Sequence, residues 1–140
     1  MNEIIIKVSA GGVIYKDGKV LAIKWFSMGR TSIEFPKGAI EPNETKEEAC
    51  IREVQEETGY KTKIIKPLGD ITFEFDWSDG KHYRKTVYHY LLELINDDEP
   101  IPNREADETF ENMWISIEEA KHQLTFDTDK EILERVLQNI

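Results

Sequence analysis

Apolar and polar positions along this chain follow first the two-residue period of strands, then the longer period of a helix. Ile4 to Tyr15 is apolar and rich in β-branched residues, and Lys16-Asp17-Gly18-Lys19 supplies a hairpin turn into a second run, Val20 to Phe26. A loop holding Met28, Gly29 and Arg30 leads to Ile33-Glu34-Phe35-Pro36. The period then becomes helical. Cys50, Ile51, Val54 and Thr58 fall on one side, predicted to face the core, while Ala49 is expected to keep the opposite, acidic side clear. Thr45 followed by Glu48 is a capping-box signature for the start of this helix, and Gly59 stands where a left-handed residue ends one.

Beyond the helix, Lys63 to Phe75 reads as a strand, and Ser78-Asp79-Gly80-Lys81 turns into a long strand from His82 to Leu94. The acidic, proline-bearing segment Asn96 to Glu108 is the longest loop. A short strand, Asn112 to Ile115, precedes a helix from Ile117 that Thr125-Phe126-Asp127 interrupts. Asp129 to Gln138 is predicted as the last helix, with Ile132, Leu133, Val136 and Ile140 at helical spacing. Periodicity alone implies a mixture of α and β.

Composition narrows the classes. At 140 residues the chain is expected to form one domain, residues 1–140. A formal net charge of −10 argues against a general nucleic-acid or membrane binder, which needs a basic footprint. A small polyphosphate substrate stays compatible, because bound metals and a few lysines invert the local potential. The single cysteine, Cys50, excludes an internal disulfide and is expected to be a buried thiol. No leader-like stretch and no apolar run of membrane-spanning length occurs, so a cytoplasmic protein is expected, monomer or homodimer.

The candidate chemistry lies on the first helix. Glu53, Glu56 and Glu57 are spaced i, i+3 and i+4, which puts three carboxylates on one face. Most glutamate-rich helices are solvated surfaces. Three like charges held together are unfavourable unless a cation lies among them, and oxygen ligands of this kind suit Mg²⁺ or Mn²⁺. Gly38 opens the loop before the helix, where a backbone carbonyl can approach a metal without a side chain intruding.

The frame around these glutamates resembles the Nudix hydrolases, whose pattern is G-x5-E-x7-R-E-U-x-E-E-x-G-U with U apolar. Gly38, Glu44, Arg52, Glu53, Val54, Glu56, Glu57 and Gly59 match it, and only the last position departs, being Tyr60 rather than aliphatic. The resemblance implies an α/β fold, an α/β/α sandwich with a mixed β-sheet, across essentially the whole chain. It implies hydrolysis of a diphosphate linked to another moiety, with Mg²⁺ or Mn²⁺ held by Glu53, Glu56, Glu57 and the carbonyl of Lys37. The catalytic set it implies is Glu53, Arg52 and Glu108. Glu53 doubles as general base, or a later loop glutamate, Glu105 or Glu108, does that work. Arg52 is expected to pair with Glu44 and brace loop against helix, with Gly38, Glu44 and Gly59 structural.

Three features outside that pattern resemble the bis(5′-nucleosyl)-tetraphosphate hydrolase branch: Pro36-Lys37-Gly38, Lys85-Thr86-Val87, and Trp114 followed by Glu119-Ala120. They imply that Lys37 and Lys85 hold phosphate and that Tyr88 or Tyr90 stacks on a base of a small nucleotide substrate. Tyr88 and Tyr90 share one strand face while Val87 and His89 take the other, and core tyrosines are the default for a strand. His82, His89 and His122 show no metal-ligand spacing. The expected activity is cleavage of diadenosine tetraphosphate to ATP and AMP. A nucleoside triphosphate pyrophosphatase, an RNA 5′-pyrophosphohydrolase and a non-catalytic nucleotide-sensing module are the alternatives.

Overall fold

The computed structural model describes residues 3–27, 29–96 and 109–140. Its elements are β1 (Ile4–Lys16), β2 (Lys19–Ser27), β3 (Arg30–Glu34), β4 (Lys37–Ala39), α1 (Lys46–Thr58), β5 (Thr62–Asp76), β6 (His82–Leu94), β7 (Thr109–Ser116), α2 (Ile117–Gln123) and α3 (Asp127–Leu137). The strands form one sheet in the order β3-β2-β1-β6-β5, with β4 added to β1 and β7 to β2. β1 and β6 run parallel, in register from Ile4 opposite His82 to Ile14 opposite Leu92, and every other pairing is antiparallel. The sheet is therefore mixed.

Strict side-chain alternation explains the layers. Ala10 and Ile14 of β1, Leu21 of β2 and Tyr90 and Leu92 of β6 pack with Ala49, Cys50 and Val54 of α1. Val13, Val20, Ala22 and Leu91 point the other way, onto Leu124 and onto Ile132, Leu133 and Val136 of α3. Two cores thus sandwich one sheet, giving α/β/α. β5 is the edge strand, which is why it tolerates Pro67 and two register shifts. Arg135 of α3 clasps that irregular stretch, donating from Nη1 to the carbonyls of Leu68 and Asp70, each at 3.1 Å.

Several expectations change here. β4 was not foreseen; its three residues pair with Ser9, Ala10 and Gly11 and carry Lys37 and Gly38 into the sheet. β3 starts at Arg30, earlier than the sequence suggests, and β7 is twice the predicted length. Ala49 is fully buried in the core rather than flanking the acidic face, while Ile51 is half-buried. Ile140 lies past the end of α3 and is exposed.

Candidate active site

α1 is fixed at both ends by the devices its sequence announces. Thr45 and Glu48 form a reciprocal capping box, and Gly59 closes the helix at φ 84° with its N–H on the Gln55 carbonyl. Tyr60, the one departure from the family pattern, stands edge-on to Trp114 with ring centroids 5.8 Å apart. Its hydroxyl accepts from the Trp114 indole at 3.2 Å, so the ring pins α1 to β7.

Arg52 is the hub beside the acidic face. Its guanidinium donates to Glu44 through Nε (2.6 Å) and Nη2 (2.9 Å), and to the Ala39 carbonyl at 2.9 Å. Nη1 reaches Glu53 at 2.8 Å and Glu56 at 3.2 Å. Hydrogen bonds from Arg52 first, and from the Glu41 backbone next, hold the Glu44 carboxyl down to about 2. Arg52 is a positioning residue: every direction of its fork is taken by the loop, β4 or the neighbouring carboxylates.

The three glutamates share a face, but their carboxylates are not gathered on one point. Among the described residues no group of three acidic, histidine or cysteine side chains is assembled as a metal set. The physical reason is mutual repulsion with Arg52 at hand, which draws Glu53 and Glu56 toward itself. Glu57 carries the largest consequence. Burial, then the charge of Glu53, pushes its carboxyl up to about 8, against the pull of Lys37. Burial also raises Glu53 despite the hydrogen bond and charge of Arg52. A strongly perturbed acid in a cleft is a functional signature. Gly38 forms a cradle for Glu53, since an added Cβ would come 2.0 Å from its Oε2. An all-oxygen donor set with excess negative charge and a space cleared by glycine fits a hard divalent cation.

Next to that face lie two lysines. Lys37 on β4 bonds Glu34 at 3.2 Å. Burial opposes its charge, yet Asp129 and Glu34, with Glu57 beyond, hold its pKa above the ordinary lysine value. Lys85 on β6 is half-buried, and desolvation, then the charge of Lys37, lowers its pKa. Lys85 is thus a cation that an anion would relieve, whereas Lys37 already has carboxylates around it.

Alternation along β6 separates Lys85 from the two tyrosines expected beside it. Tyr88 and Tyr90 do share a face, but it is the α1 side. Tyr90 is core, 6% exposed, its hydroxyl donating to Glu47 at 3.1 Å. Tyr88 packs against the same core, beneath the Lys46 ammonium at 4.2 Å. Residues two and four along from Lys85, Val87 and His89, face its side instead, joined across the strand pair by Phe73 and Phe75.

Among the described residues, two cavities open on this side of the sheet. One, of about 360 Å³, is lined by Glu34, Lys37, Phe73, His89, Phe126 and Asp129 among others. His89 Nδ1 and Asp129 Oδ2 are buried there without hydrogen-bond partners. Burial drives the His89 imidazole down to about 3 and the Asp129 carboxyl up to about 6, so a neutral histidine and a readily protonated acid line its wall. The other, of about 440 Å³, runs from Gly38 and Ala39 past Lys7 and Lys85 to Phe75, Trp77 and Tyr83. Sequence reading missed Glu34, His89, Asp129 and these aromatics. Strand parity counted from Lys85 was the available signal for His89, Tyr83 and the β5 aromatics; nothing local marks Glu34 or Asp129. Glu105 and Glu108, the later-loop candidates for general base, lie outside the described residues. No described helix is long and apolar enough to cross a membrane.

The model of the NUDIX domain matches residues 6–136. A Mycobacterium tuberculosis protein named MutT4 is 33% identical over 136 residues, covering 91% of this chain and 53% of its own length. The ADP-ribose pyrophosphatase of Bacillus subtilis is 29% identical over 106 residues, 74% of this chain and 55% of that protein. The chain thus spans about half the length of these curated relatives. Among solved structures, a NUDIX hydrolase from Nitrosomonas europaea superposes with a TM-score of 0.75 at 23% identity, covering 95% of this chain and 89% of that one. A C. elegans Ap4A hydrolase binary complex superposes at 0.73 with 24% identity, covering 95% and 96%.

Proposed function

This chain belongs to the NUDIX family, and from that premise we propose that it is a divalent-metal-dependent pyrophosphohydrolase of nucleoside diphosphate-linked compounds, with dinucleoside polyphosphates such as diadenosine tetraphosphate as the preferred class. One observation carries the reading: the face that bears Glu53, Glu56 and Glu57, where burial and then the charge of Glu53 push the Glu57 carboxyl up to about 8, adjoins two lysines on a cavity-bearing sheet face. Negative metal ligands and positive phosphate ligands side by side are what a phosphoric anhydride needs.

Glu53, Glu56, Glu57 and the Lys37 carbonyl would hold Mg²⁺ or Mn²⁺, which when bound would neutralise phosphate oxygens and make a bound water more acidic. Lys37 and Lys85 would position the phosphate chain by charge. Water attacks one phosphorus, the anhydride P–O bond breaks, and the water's proton passes to a base. Glu53, pressed against Gly38 with its pKa raised, is the described carboxylate best placed to accept it. Arg52 serves by fixing Glu53 and Glu56 and tying them to Glu44.

Room on both sides of the lysines supports a substrate with two terminal groups over one with a single group. A nucleoside triphosphate pyrophosphatase is the second reading, favoured by the unpartnered polar atoms of His89 and Asp129, which suit the edge of one base. A substrate panel with products resolved by chromatography separates the two. Diadenosine tetraphosphate giving ATP and AMP at the highest kcat/KM supports the first. A nucleoside triphosphate giving monophosphate and pyrophosphate at the highest kcat/KM supports the second.

A further inference from the structure

The β5–β6 hairpin reaches beyond the layer covered by α1, and its far end carries aromatic side chains that no core requires. Trp77 is 60% exposed. Phe75 and Tyr83, cross-strand partners, lie nearly parallel, with 8° between ring planes and centroids 5.3 Å apart. Trp77 meets Phe75 edge-on at 6.3 Å, and Phe73 continues the row at 5.9 Å. Exposed aromatics grouped this way mark a binding surface more often than a lone exposed ring does.

Hydrogen bonds fix the turn that carries the group. The Tyr83 hydroxyl donates to Asp79 at 2.5 Å, and Asp79 also accepts from the Lys81 N–H at 2.9 Å. Trp77 closes the turn through backbone bonds with Lys81 and Gly80, both 3.0 Å. On the opposite face of the hairpin, His82 bridges Asp76 (2.7 Å) and Glu74 (2.8 Å). A surface organised before its ligand arrives loses less entropy on binding.

Charge indicates what the surface receives. The second cavity joins these rings to Gly38, which touches Glu53, and Lys7 and Lys85 stand between the two ends. Lys7 and Lys85 are direct partners in the β1–β6 register. Like charges opposite one another are unfavourable unless an anion lies between them. In a chain of net charge −10, this is a local positive strip that begins at the carboxylate face and ends on aromatic faces.

We propose that Phe75, Trp77 and Tyr83 are the platform on which the second base of a dinucleoside polyphosphate stacks, with Lys7 and Lys85 flanking the connecting phosphates. The first base then takes the cavity at His89 and Asp129. This rests on the dinucleoside reading above and goes beyond it by assigning the residues that distinguish a two-base substrate from a one-base substrate.

The test compares diadenosine tetraphosphate with adenosine 5′-tetraphosphate, which lacks the second adenosine and carries one further ionisable group on its terminal phosphate, on the wild type, Trp77→Ala and Phe75→Leu. Trp77 is exposed, so its truncation leaves the core untouched. The wild type should show the lower KM for the two-base substrate. In the variants the ratio of the two KM values should collapse by about 5- to 100-fold, with kcat little changed, since stacking acts on ground and transition states alike. An unchanged ratio overturns the platform, as does a changed oligomeric state at constant ratio, which would mark the rings as a contact between copies. Stopped-flow quenching of tryptophan emission before turnover reads the platform independently of cleavage. Quenching by diadenosine tetraphosphate that exceeds quenching by the tetraphosphate, and disappears in Trp77→Phe, supports it even if the wild type does not hydrolyse the dinucleotide. Equal quenching in wild type and Trp77→Phe overturns it whatever the substrate preference proves to be.

Discussion

Gly38→Ala separates folding from chemistry more cleanly than removing any charge. The backbone at Gly38 does not require a positive φ, so alanine fits the local conformation. What alanine meets is the Glu53 carboxylate: its Cβ would lie 2.0 Å from Oε2, 2.1 Å from Cδ and 2.5 Å from Oε1. To reach ordinary contact near 3.4 Å, that carboxylate must retreat by about 1.4 Å. A glutamate end can swing away at little cost, so thermal stability should change by about 1 kcal/mol or less. A reacting or ligating group displaced by about 1 Å costs roughly 10²-fold in rate. The expectation is a near-normal melting temperature with kcat at saturating Mg²⁺ reduced about 100-fold or more. Gly11→Ala is the contrast. There the Cβ would lie 2.2 Å from the Pro36 carbonyl oxygen and 2.6 Å from Lys37 Cβ, on the strand pair that carries Gly38. Backbone cannot move aside so readily, and that variant should lose stability first. Calorimetry and a product assay on both proteins decide the matter. A Gly38→Ala enzyme with wild-type turnover at saturating Mg²⁺ would refute the role given to Glu53.

Glu57 makes a further prediction about pH. Its carboxyl is raised from 4.5 to about 8, so the folded state favours the protonated form and stability is lost as pH climbs through that range. His89, lowered from 6.5 to about 3, acts in the opposite sense, but only below about pH 6.5. Between pH 6.5 and 8 in EDTA the melting temperature should therefore fall, and Glu57→Gln should flatten the slope; an equal slope in both proteins would show that Glu57 is not buried as an acid. Arg52→Ala leaves Glu44, Glu53 and Glu56 without their common partner and should lower the melting temperature by roughly 5 °C or more together with activity; an unaltered melt would mean that the brace carries nothing. Lys85→Met should raise KM for a tetraphosphate substrate far more than for a nucleoside diphosphate sugar, which lacks the distant phosphates, and equal effects on both would remove Lys85 from the phosphate path.

The acidic helix was legible because its information is local. Capping box, apolar side, terminal glycine and glutamate spacing all fall between Thr45 and Gly59, and the structure reproduces them except that Ala49, not Ile51, completes the buried side. Strand positions and hairpin turns were legible for the same reason, down to the limits of β6 at His82 and Leu94. The opposing wall of the site was not. Glu34, Lys37 and Asp129 meet only after β3, β4 and α3 are brought together from distant parts of the chain, and nothing in any one segment announces that meeting. β4, three residues long, is too short to show a period. Tyr88 and Tyr90 share a face as expected, but parity puts Lys85 on the other one: an offset of one residue changes the sheet face, and Lys85 is odd where the tyrosines are even. Ala49 was misplaced because a small residue beside an acidic face reads as clearance, when it packs in the core with Ala10, Ile14 and Leu21.

Uptake of a divalent ion by the Glu53, Glu56 and Glu57 face is the property on which the proposed chemistry depends. Mn²⁺ titrated into the nucleotide-free protein at pH 7, followed by the loss of the free-ion electron paramagnetic resonance signal, measures this without reference to substrate. Wild type should bind with proton release, as Glu57 must ionise to serve as a ligand, and Glu56→Gln and Glu57→Gln should each weaken binding at least tenfold while keeping a cooperative melt. Binding of equal strength in wild type and both variants would contradict the assignment of this face as the metal centre.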